Sequence, residues 1–280
     1  MSKGLLDPKV DFVFKNIFGS PNHPEILISF LNATLKAKKK IVNVDIKKTD
    51  IEKQYIEDKY SRLDVKATTS NDEIINIEIQ LKNENNMVKR SLYYLSKMYE
   101  EQLNEKEDYS KLVRTVCINI LNFKYLKTDN FHTGYRFKEI ESNEELTDIM
   151  EVHFIEIPKL QDSSDEKDML VAWTEFLKDP ESEKVRGLEL SIEEIRQAKD
   201  ELIRMSNDST QRELYDMRAN SLRDKMSELN AAERKGIEMG REEGRKEEKI
   251  KIARNMKLSG LDTNTIAKIT NLSEDEIDKL

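Results

Sequence analysis

The sequence predicts an α/β fold: a central sheet with helices on both sides, followed by an all-helical extension. Three observations predict it. Residues 61–81 hold two short runs of period-two alternation around a polar link. Residues 112–121 are almost continuously apolar and β-branched, the pattern of a central strand covered on both faces. Segments of helical periodicity stand before, between and after these runs, and strands with helices on both sides make an α/β core.

In chain order, residues 8–19 predict a helix with Val10, Val13, Phe14, Ile17 and Phe18 on one face, Asp7 as cap and Pro8 at the first helical position. Residues 22–35 predict a second, with Ile26, Leu27, Phe30 and Leu31 inward; residues 41–46 suit a strand, extended more loosely to Tyr60. After the alternating pair, residues 87–103 form an amphipathic helix carrying Val88, Leu92, Leu95, Met98, Tyr99 and Leu103. Residues 135–140 and 151–157 are further strands, Pro158 ending the second. Residues 168–177 form a helix around Trp173, a core anchor. Ser191-Ile192-Glu193-Glu194 has the capping-box pattern and opens a helix to about Met205.

The tail is helical. One helix runs from about Ser209 past Leu229. In the charged run after it, Gly236, Gly240 and Gly244 share a helix face. Each costs about 1 kcal/mol relative to Ala, so a flexible spacer is preferred there over close approach of a partner helix. Residues 246–258 are helical again, Gly260 stops them, and two short helices begin at Thr263 and at the Ser273 cap. The outline is that of a helix-turn-helix. Its second helix carries Glu274, Asp275, Glu276 and Asp278, which repel phosphates, so self-association or partner binding is expected over DNA reading. The expected division is residues 1–180 core, 181–232 helical extension and 233–280 charged arm with tail.

Charged residues reach 36% against 37% hydrophobic, so part of this 280-residue chain is strongly solvated. No apolar run approaches about 18 residues, which excludes a membrane span, and the N-terminus lacks the apolar stretch of a signal peptide. One cysteine, Cys117, excludes an internal disulfide and a cysteine-based zinc site; a reducing cytoplasm is the expected setting. A net charge of −8 argues against simple coating of nucleic acid. Residues 36–40, with Lys47 and Lys48, offer either a local basic approach or a solubilising loop. His23, His132 and His153 are far apart in the sequence and lack metal-ligand spacing.

The chemistry concentrates in the alternating pair. Leu63, Val65 and Ala67 share one face with Ile75, Ile77 and Ile79 of the next run. A hairpin must superpose these faces, because a one-residue slip turns every side chain over. The tightest register sets Asp64 opposite Glu78, Lys66 opposite Asn76 and Arg62 opposite Gln80. Like charges directly opposed are destabilising. Two facing carboxylates are explained by a shared proton, by a divalent cation such as Mg²⁺ or Mn²⁺, or by splaying apart on a solvated face.

Asp64, then Glu78-Ile79-Gln80 on the next strand, resembles the PD-(D/E)XK nuclease active site, with Gln80 in the usual lysine position. Asp7-Pro8-Lys9-Val10-Asp11-Phe12-Val13-Phe14-Lys15, Ser61-Arg62-Leu63-Asp64-Val65-Lys66-Ala67, Ile77-Glu78-Ile79-Gln80-Leu81 and Lys89-Arg90-Ser91-Leu92-Tyr93-Tyr94 narrow it. The chain resembles the recombination-promoting nuclease/transposase family through most of its length. That resemblance implies a restriction-endonuclease-like core with a mixed sheet, and a Mg²⁺- or Mn²⁺-dependent DNA endonuclease linked to recombination or transposition. Asp64 and Glu78 are the implied metal ligands, with the Ile79 carbonyl and Asp11 as additions; Asp11 is equally readable as a first-turn carboxylate favoured by the helix dipole. Gln80 is expected to orient water, or to leave Lys66 or Arg62 to offset charge. Arg62, Lys89, Arg90 and Tyr94 are expected to meet DNA. The alternative is a weak or inactive nuclease fold that binds DNA or assembles through C-terminal helices as a homo-oligomer, a dimer first. RNA remains open as substrate.

Overall fold

A computed structural model describes residues 4–36, 39–47, 64–165 and 167–280. Six strands form one mixed sheet: β1 (Val44–Lys47), β2 (Val65–Thr69), β3 (Ile74–Gln80), β4 (Thr115–Leu121), β5 (His132–Lys138) and β6 (Glu145–Glu156). Their spatial order is β1-β2-β3-β4-β6-β5. The β1/β2, β2/β3 and β5/β6 pairs are antiparallel, while β4 runs parallel to both β3 and β6. The all-buried β4 is central, as its nearly continuous apolar run requires.

Helices α1 (Asp11–Phe18), α2 (Pro24–Leu35), α4 (Met169–Lys178), α5 (Glu183–Glu189) and α6 (Glu193–Asn207) bury their apolar stripes in the main core with Val65, Ala67, Ile75, Ile77, Ile79, Val116, Ile118 and Ile120. Trp173 sits at its centre, edge-on to Phe18 at 5.3 Å. Helix α3 (Met87–Glu100) covers the opposite sheet face with Met87 and Leu95 against Cys117, Leu121, Val152 and Phe154.

Several expectations need correction. Helix α1 starts at Asp11 behind Val10; Asp7 instead accepts the Lys9 N–H in the preceding turn. Ser191 does not cap α6: its hydroxyl donates to the Leu188 carbonyl, because α5 ends immediately before it. On α3 the buried residues are Met87, Ser91, Tyr94, Leu95 and Met98, while Val88 and Leu92 are exposed, because the sheet beneath presents polar groups as well as apolar ones. His132 and His153 are not apart in space. Pairing of β5 with β6 stacks their rings 5.1 Å apart, with His132 Nε2 2.9 Å from His153 Nδ1. The extension to Tyr60 falls mostly outside the described residues.

The chain divides into two units, residues 1–219 and 220–280. Helix α7 (Ser209–Leu258) is continuous for 50 residues, so the glycines do not interrupt it as a spacer; a Cβ at Gly236, Gly240 or Gly244 would meet nothing within 4 Å. In the second unit, α8 (Thr263–Thr270) and α9 (Glu274–Asp278) close a small core of Ala253, Ile266, Leu272 and Ile277. Asp262 caps α8, Ser273 and Glu276 form a capping box on α9, and Gly260 takes φ 84° in the turn between α7 and α8. Among the described residues no helix is long and apolar enough to cross a membrane.

Candidate active site

The β2/β3 register pairs Val65 with Ile77 and Lys66 with Asn76; continued by one residue it sets Asp64 opposite Glu78. The opposed face is not solvated. Glu78 is 1% exposed and Asp64 8%, because α3 lies over this side of the sheet. Beside them lies a buried polar layer, partly satisfied internally, in which Asn76 Oδ1 has no hydrogen-bond partner. The Ser91 hydroxyl donates to Asn119 Oδ1 at 2.8 Å, and Asn119 Nδ2 donates to the His153 carbonyl at 3.0 Å.

Each carboxylate meets a cation from a different side. Asp64 Oδ2 accepts the Ile79 N–H at 2.8 Å, and Lys15 Nζ from α1 lies 3.9 Å from Asp64 Oδ1. Arg90 Nε from α3 donates to Glu78 Oε2 at 3.1 Å, its guanidinium 5.2 Å from the Tyr94 ring centre. Burial outweighs these contacts at both acids. Burial pushes the Asp64 carboxyl up to about 7, against the Ile79 N–H and the Lys15 charge, with Glu78 and Asp11 adding to the rise. Burial also raises Glu78, against the charge and hydrogen bond of Arg90, the Asn76 side chain and the more distant Lys15 charge. Glu78 Oε1 is buried without a hydrogen-bond partner.

An orphaned carboxylate oxygen beside a second buried carboxylate fits a hard, oxygen-seeking cation. Among the described residues no group of three or more His, Cys, Asp or Glu is gathered to hold a metal ion. Asp64 and Glu78 therefore offer two carboxylates to a hard divalent cation, with water and phosphate needed to complete its shell.

The other expected site residues divide. Asp64, Glu78, Ile79, Arg90 and Tyr94 come together. Lys66 shares their sheet face, but its Nζ is 3.6 Å from Glu101 at the end of α3. Gln80 ends β3, half-buried, on the Glu78 side by alternation. Asp11 is half-exposed and pairs with Arg218 Nη1 at 3.1 Å. Lys89 is exposed on α3, and Arg62 lies outside the described residues. Lys15 and Asn119 were not singled out from the sequence. Lys15 lies four residues after Asp11 on one helix face, and Asn119 interrupts an apolar run; both signals were available.

A family model described as PD-(D/E)XK nuclease family transposase matches residues 8–232. The chain belongs to that family. A second model, described as the C-terminal HTH domain of the Rpn/YhgA-like nuclease family, matches residues 246–280. No curated protein and no solved structure matches the chain. The matched span takes in the whole sheet and α1 to α6, so this PD-(D/E)XK chain carries its nuclease-type core in the first unit and its helix-turn-helix in the second.

Proposed function

We propose that this family member is a Mg²⁺- or Mn²⁺-dependent endonuclease that hydrolyses DNA phosphodiester bonds in recombination or transposition. The observation that supports it best is the buried, opposed Asp64/Glu78 pair with Glu78 Oε1 unpartnered. When bound, a divalent cation supplies a Lewis acid that acidifies water and offsets charge on the phosphate. Asp64 and Glu78 hold it, with the Ile79 carbonyl and Asp11 as supplementary oxygens. Gln80 orients the attacking water by hydrogen bonds, with Lys66 as an added charge on the same sheet face. Arg62 and Lys89 bind the DNA backbone, Arg90 is held at Glu78 over the buried Tyr94 ring, and the setting is the cytoplasm. Cleavage of supercoiled plasmid with Mg²⁺ or Mn²⁺ tests this reading. Wild type should nick and linearise it, and Asp64→Ala and Glu78→Ala should not. Equal cleavage by all three purified proteins rejects the assignment.

A second reading keeps the fold for DNA binding and assembly through the C-terminal helices, as a homodimer. It is favoured by exposed Met217, Ile237, Met239 and Ile252 along α7 and by the acidic α9. Wild-type protein that binds no divalent cation, and that loses dimerisation on deletion of residues 233–280, supports it.

A further inference from the structure

The usual lysine of this active-site pattern is replaced by Gln80, which carries no charge. Hydrolysis still places growing negative charge on the phosphoryl oxygens, and fixed positive charge aimed there is a large contributor to catalysis. Among the described residues, Lys15 and Arg90 contact the carboxylate pair and Lys66 shares its sheet face, and their engagements differ. Arg90 is hydrogen-bonded to Glu78 and rests on Tyr94. Lys66 is turned to Glu101. Lys15 reaches Asp64 Oδ1 only at 3.9 Å, the outer limit of an ion pair, and its side chain keeps 29% of its exposure.

The backbone that carries Lys15 is held firmly. Val13, Phe14, Ile17 and Phe18 are buried around it, and Phe14 stacks on Phe18 at 4.6 Å. The Lys15 carbonyl accepts the Gly19 N–H at 2.9 Å. A Cβ on Gly19 would fall 2.7 Å from that carbonyl oxygen and 3.4 Å from Val65 Cγ2, next to Asp64. A side chain at position 19 would press on the last turn of α1 itself, while Val65 of β2 lies at ordinary contact distance. A long, partly solvated ammonium thus projects from a rigid base to the edge of the carboxylate pair.

Building on the nuclease reading, we infer that Lys15 supplies from α1 the charge that Gln80 cannot, facing the scissile phosphate across Asp64. In the reaction a water oxygen bonds to phosphorus and the bond from phosphorus to the leaving sugar oxygen breaks. The electron pair stays on that oxygen, which takes up a proton, while water loses one. Lys15 keeps its proton throughout and acts by charge.

The test compares wild type, Lys15→Gln, Lys15→Arg and the Lys15→Gln/Gln80→Lys double variant. Each is assayed for plasmid nicking with Mg²⁺ and for Mn²⁺ affinity by calorimetry. Lys15→Gln should nick about 100-fold more slowly, with Mn²⁺ affinity equal to or tighter than wild type. Lys15→Arg should retain part of the rate. Moving the charge to position 80 in the double variant should recover at least about tenfold, which a purely structural role for Lys15 does not predict. Wild-type nicking by Lys15→Gln overturns the proposal and leaves the nuclease reading intact. So does joint loss of nicking and Mn²⁺ binding that the double variant fails to recover. Wild type that binds Mn²⁺ and cleaves nothing overturns the nuclease reading and this proposal together.

Discussion

At the scale of single residues, Asp64 has a measurable cost. Its folded-state pKa of about 7 lies above the ordinary carboxylate value. A group raised in this way contributes its stability fully below the unfolded pKa, near pH 4, and loses it as pH rises through about 7. Metal-free wild type therefore carries a penalty at pH 8 that Asp64→Asn removes. The variant should be more stable there by about 2 kcal/mol in chemical denaturation, level with wild type near pH 4, and inactive in cleavage. A structural charge behaves oppositely. Glu156 is fully buried, accepts the Leu126 N–H at 3.1 Å and pairs with Lys159 Nζ at 2.7 Å. Lys159→Met should cost about 3–5 kcal/mol, since it strands a buried carboxylate. Adding Glu156→Gln should restore part of that, because the amide oxygen still accepts and no charge remains. The two acids of the site were legible because opposed like charges in a forced register demand an explanation. Lys15 carried only its four-residue spacing from Asp11, a signal too weak to set it apart from any solvated lysine beside an apolar helix stripe.

At the scale of elements, the β2/β3 hairpin and β4 follow from side-chain period and composition, and both formed where their patterns lie. Helix α3 shows the limit of that method. Its inward face includes Ser91 and Tyr94 because it packs over Glu78 and Asn119, so apolar count alone placed Leu95 and Met98 correctly but turned Val88 and Leu92 inward in error. The β5/β6 pair holds a second consequence. Burial and the neighbouring His153 lower His132 to about 4, from an ordinary value of 6.5. A depressed pKa leaves its stability present above about pH 6.5 and removes it as pH falls through about 4. Wild type should lose stability over that window relative to His132→Gln, by about 2 kcal/mol at pH 4, measured as the difference between their urea midpoints across pH. A difference that stays flat with pH contradicts the half-buried, neutral ring.

At the scale of the whole molecule, the α/β core and its helical tail were legible, and the family match spans both units. The unbroken course of α7 was not. Glycine propensity alone argues for interruption, but Glu242/Lys246 and Glu247/Lys251 stand in the favourable i,i+4 order along the same stretch and each offsets part of that cost. What unites fold and function is the hairpin that buries two acids beneath α3 and leaves one of their oxygens without a partner. Titration of Mn²⁺ into full-length wild type, Asp64→Asn and Glu78→Gln by calorimetry at pH 6 and pH 8 tests this most directly. Wild type should bind more tightly at pH 8, above the Asp64 value of about 7, than at pH 6, and each substitution should weaken binding by at least about tenfold. Equal affinity in all three proteins, or no binding by wild type at either pH, contradicts the account.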